Sequence, residues 1–134
     1  MKYFSNLNAG WATLIINSFY YEPSFITNVP MDILDAWEEY QNRGYCTLYL
    51  FDERDEIFIT ITRTDAFVIK DKKYIELVPS GSELNPNGFE LLKGLVNDII
   101  NNIELWGNWV CVSEKNVQKN INALQKRAEN LGLV

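Results

Sequence analysis

The side chains best suited to chemistry in this chain are its carboxylates, and they are unevenly placed. Asp32, Asp35, Glu38, Glu39, Asp52, Glu53, Asp55 and Glu56 fall within 25 residues that hold only two bases, Arg43 and Arg54, a local net charge of −6. The rest of the chain carries ten acids and ten bases, so the whole net charge of −6 arises in this one stretch. Such a group can serve three ends. Paired carboxylates catalyse proton transfer when one sits in an apolar pocket and another stays ionised beside it. An acidic turn binds a divalent cation when its ligands alternate around a sharp glycine bend. An exposed acidic surface steers a basic partner and speeds its arrival.

The pattern favours the third. All eight acids read as exposed, and Glu76, alternating within an apolar strand, is the only acid with a sign of partial burial. Asp52-Glu53-Arg54-Asp55-Glu56 has neither the glycine nor the ligand spacing of a calcium loop, so no metal site is expected. The chain has no histidine, which removes the commonest general base and the commonest metal ligand. Cys46 and Cys111 lie inside apolar runs and read as buried thiols. The glycines at 81, 88, 94, 107 and 132 are isolated and form no phosphate-binding loop, so no cofactor is expected. Lys115, Lys119, Lys126 and Arg127 make the last segment basic, but a pI near 4.6 argues against nucleic acid as a partner.

The elements that must position these residues follow from periodicity. Residues 45–51 and 57–62 alternate with period two around the charged link 52–56, the pattern of a β-hairpin. One face would carry Cys46, Leu48, Leu50, Ile57, Ile59 and Ile61. The other would carry Tyr45, Thr47, Tyr49, Phe51, Phe58, Thr60 and Thr62. Residues 11–21 read as a strand bent or interrupted near Asn17-Ser18, and 65–70 and 74–78 as further strands of a meander.

Apolar residues at helical spacing predict three helices. The first runs from Met31 to about Asn42, with Gly44 as a left-handed cap and the acids on its outer face. A second runs from an Asn85-Pro86 start to about Glu104, with Gly94 opposite its wide apolar arc. Leu105-Trp106-Gly107-Asn108 ends it, residues 109–112 suggest a short strand, and Ser113 caps a third helix. There Val117, Ile121, Leu124, Ala128 and Leu131 form a narrow seam, enough to dock on one neighbour.

Residues 1–134 are thus expected to form a single α+β domain: an antiparallel meander of about four to six strands, with three helices packed on and beside it. No run approaches the roughly 18 apolar residues of a membrane span and the start lacks a secretory signal, so the expected location is cytoplasmic, with no membrane partner. The expected function is that of a non-catalytic protein-binding module of inhibitor or immunity type. Its acidic surface, with Tyr49 and Phe58 as hot-spot aromatics, would engage a basic protein; exposed aromatics are expected at Tyr45 and Trp106 as well. A second reading is a structural or assembly protein of phage or mobile-element type, forming a homo-oligomer through the C-terminal helix or the hairpin edge. A third is a small-molecule binder or a histidine-independent hydrolase.

Overall fold

The computed structural model describes residues 1–109 and 114–134. In chain order they form β1 (Phe4–Asn8), β2 (Trp11–Ile16), β3 (Phe19–Tyr21), α1 (Val29–Arg43), β4 (Tyr45–Phe51), β5 (Glu56–Thr62), β6 (Ala66–Lys70), β7 (Lys73–Val78), α2 (Asn87–Ile100), the single turn α3 (Ile103–Trp106) and α4 (Glu114–Asn130). The fold is α+β and antiparallel throughout, but the strands divide into two sheets, β1-β2-β3 and the meander β4-β5-β6-β7.

The meander follows from alternation. Across β4 and β5, Cys46 faces Ile61, Leu48 faces Ile59 and Leu50 faces Ile57, and all six are buried. Each such side chain contributes about 1.5–3 kcal/mol by leaving water, so a one-residue slip that turned the set outward would be prohibitive. Ala66, Val68 and Leu77 extend the same inner face across β6 and β7. The β6–β7 loop is Asp71-Lys72, both with positive φ, the geometry that matches the twist of a two-residue hairpin.

The interruption at Asn17-Ser18 is a hairpin loop that folds β3 back on β2, with Asn17 at φ +53°, a conformation asparagine tolerates. The N-terminal strand β1 completes this smaller sheet. The two sheets are joined by polar contacts: the Tyr21 hydroxyl donates to the Asp55 carbonyl at 2.6 Å, the Ser24 N–H to the Phe51 carbonyl at 2.9 Å, and the Asn17 amide to the Leu77 carbonyl.

Helices α1 and α2 cover the inner face of the meander. Ile33, Leu34 and Ala36 of α1 and Leu91, Leu92, Leu95, Val96 and Ile99 of α2 supply the apolar layer. Gly44 closes α1 at φ +81° with its N–H on the Tyr40 carbonyl, as its sequence position predicts. Gly94 lets the Tyr3 ring lie against α2, since a Cβ there would sit 2.5 Å from Cε2 of that ring.

Three expectations are corrected. The helix from Pro86 to Glu104 is two helices, broken at Asn101-Asn102, and it starts at Asn87 with Pro86, not Asn85, in the cap position. Trp106 is buried, its ring edge-on to Phe4 with centroids 5.0 Å apart, because α3 turns it inward. Glu76 is exposed, because it pairs with Phe67 on the outer face of the meander, away from the helices. The expected strand at 109–112, Trp109 apart, and the Ser113 cap lie outside the described residues, as does Cys111.

Candidate interaction surface

The eight acids fold into two groups with different surroundings. On α1, Asp35 and Glu38 are exposed, yet both meet Arg127 of α4: its Nη2 lies 2.9 Å from Asp35 Oδ1 and 3.1 Å from Glu38 Oε1. The guanidinium bridges two carboxylates one helical turn apart. Asp32 and Glu39 are half-buried, which corrects the expectation that all eight stand in solvent. Burial, helped by the nearby charge of Asp35, raises the Asp32 pKa to about 6. Glu39 lies near Cys46, whose thiol is pushed up to about 12, first by burial and then by that carboxylate. This outer helix face is therefore partly neutralised and partly covered.

The second group caps the β4–β5 hairpin. The Asp52 carboxylate accepts the N–H groups of Arg54 and Asp55 at 2.9 and 2.6 Å, a local turn that frees Glu53 to take φ +75°. Glu53 is exposed and Asp55 half-buried. Glu56 begins β5 on the outer face and accepts the Tyr49 hydroxyl at 2.9 Å. Tyr49 and Phe58 face each other across the strands with ring centroids 5.2 Å apart, at 37% and 42% exposure. Beside them a shallow depression of about 490 Å³ is lined by Phe51, Asp55, Glu56, Phe58, Ile69 and the two bases Arg54 and Lys72, together with Asp71. Tyr45, also expected to be exposed, is 45% exposed at the far end of β4.

The structure thus brings Tyr49, Phe58, Glu56, Glu53, Asp55 and Asp52 together, and leaves Asp32, Asp35, Glu38 and Glu39 on a separate element with other partners. No group of three or more metal-ligating side chains is found among the described residues. Among the described residues the acid that is buried is Asp98, at 4% exposure, which the sequence reading missed. Its carboxylate accepts the backbone N–H groups of Lys2, Tyr3 and Phe4 at 2.7, 2.7 and 3.0 Å, and so anchors β1 to α2. Its position seven residues after buried Leu91, on the same edge of the helix, was the available signal.

Also missed were Phe67, Ile69 and Tyr74, which carry the aromatic outer face beyond the first hairpin. Tyr74 is 62% exposed and lies 5.0 Å from Phe67, ring to ring. The seam of α4 packs within the domain, with Leu124 and Ala128 buried and contacts to α1, α2 and α3. No helix among the described residues is long and apolar enough to cross a membrane. No protein-family profile matches the chain, and neither a curated protein nor a solved structure resembles it.

Proposed function

We propose that this protein is a non-catalytic protein-binding module that engages a basic partner through the outer face of the β4–β5 hairpin, in the manner of an inhibitor or immunity protein. One observation carries the reading: two half-exposed rings, Tyr49 and Phe58, lie in contact next to Glu56 and the acidic turn. Exposed aromatics with a charged rim are the composition of a binding hot spot. A guanidinium or ammonium group can stack on either ring while a carboxylate balances its charge.

The α1 acids play a smaller part, because Arg127 already meets Asp35 and Glu38. Acid/base catalysis finds little support, since of the carboxylates of the hairpin tip Asp52 accepts backbone N–H groups, Glu56 accepts a tyrosine hydroxyl and Glu53 stands in solvent.

The test is binding of a labelled arginine-containing peptide at low and raised salt, against the same peptide with glutamine for arginine. Wild-type protein should prefer the cationic peptide, more so at low salt. Glu53→Lys with Glu56→Lys should abolish the preference, and Tyr49→Ala with Phe58→Ala should weaken it about tenfold although no charge changes. Equal binding by wild type and both variants would end the proposal.

A further inference from the structure

The outer face does not stop at the first hairpin. Register places Tyr49, Phe58, Ile69 and Tyr74 in one row across four strands, and Thr47, Thr60, Phe67 and Glu76 in the next. The face therefore holds two similar clusters. Tyr49 and Phe58, centroids 5.2 Å apart, stand beside Glu56; Phe67 and Tyr74, centroids 5.0 Å apart, stand beside Glu76, which pairs directly with Phe67. By alternation Glu56 and Glu76 are the charged residues of this face, while Lys70 and Lys73 belong to the other; Lys70 reaches over the ring of Tyr21 there.

Resting on the reading that the hairpin's outer face takes a cationic partner, we propose that Phe67, Tyr74 and Glu76 form a second cation-accepting station, so that the partner is a basic helix presenting two arginine or lysine side chains seven positions apart. Charge complementarity points to the occupant, because each aromatic pair has a glutamate beside it on the same face and the outward strand positions carry no base, Arg54 and Lys72 lying in the turns. Spacing points to a helix. The aromatic pairs of the two stations are two strands apart, about 10 Å at the usual inter-strand distance. Residues seven apart on a helix are about 10.5 Å apart and share a face. Same-face residues of an extended strand fall instead at about 7 or 13.5 Å.

The experiment uses fluorescence anisotropy with alanine-rich helical peptides that carry no arginine, one arginine, or two arginines seven positions apart. The two-arginine peptide should bind at least about tenfold tighter than the one-arginine peptide, since the second contact becomes intramolecular. Tyr74→Ala combined with Glu76→Gln should bring it down to the one-arginine level and change one-arginine binding by less than about twofold. Glu76→Gln alone, a conservative change at an exposed site, should reduce the two-arginine advantage even if the double variant folds poorly.

If one and two arginines bind alike, or the β7 variants leave the advantage intact, the second station is wrong and the hairpin site stands. If no cationic peptide binds better than the uncharged one, both fall together.

Discussion

Arg127 of α4 and Asp35 of α1 are 92 positions apart in the chain, yet Nη2 of the one lies 2.9 Å from Oδ1 of the other. With Glu38 as its second partner, this guanidinium divides the acidic stretch of the sequence into a helix half that another element of the chain partly neutralises and a hairpin half whose carboxylates make no such ion pair among the described residues. Arg127→Ala should cost only about 0.5 kcal/mol, because both carboxylates stand in solvent and water screens the pairs. Urea unfolding at low and high salt checks this: the loss should shrink as salt rises.

Asp98 should matter far more. Asp98→Ala removes the acceptor of three N–H groups at the start of β1, and a hydrogen bond to a charged group contributes about 1.5–3 kcal/mol net of exchange with water. A loss of about 3 kcal/mol is expected. Amide exchange at Lys2, Tyr3 and Phe4 should accelerate more than exchange in β4 and β5.

Asp32 gives a pH dependence of the opposite kind from an ion-paired acid. Its folded-state pKa, about 6, lies above the unfolded value, so the folded protein holds the proton more tightly. The contribution of this group to stability is greatest below about pH 4, falls as pH rises towards 6, and is constant above that. Asp32→Asn should therefore stabilise the protein at pH 7, by about 1 kcal/mol once solvent screening at a half-exposed site is allowed for, and should change little at pH 4. Thermal unfolding at the two pH values checks the sign.

Cys46 should be inert. Its side chain is fully buried and its thiol is held far from ionisation, so the nucleophilic thiolate is scarce at neutral pH. Iodoacetamide should modify Cys46 at negligible rate in the native protein and readily in urea, as mass spectrometry of the peptide containing it would report.

How much of this was written in the sequence depends on whether an interaction is local. The hairpin, its register and its buried face were legible because Leu48, Leu50, Ile57 and Ile59 alternate strictly and their pairs are close in the chain. The α1 cap was legible because Gly44 follows the last apolar position directly. Strand β1 was not, since Phe4-Ser5-Asn6-Leu7-Asn8 shows little apolar alternation and its anchor, Asp98, is more than 90 residues away. Trp106 looked like a turn residue because the break before it, at Asn101-Asn102, has neither glycine nor proline. The candidate site was legible in part. Tyr49 and Phe58 followed from the hairpin alone, whereas the extent of the face needed the register of β6 and β7, and the loss of Asp35 and Glu38 needed the docking of α4.

Residue-resolved mapping of a cationic ligand is the most direct test. In a titration of isotopically labelled protein with the two-arginine helical peptide, followed by amide chemical shifts, the largest changes should fall on Tyr49, Glu56, Phe58 and Tyr74, with α1 around Asp35 and Glu38 nearly unmoved. Changes centred on α1, or no saturable change at all, would contradict the assignment of the binding face.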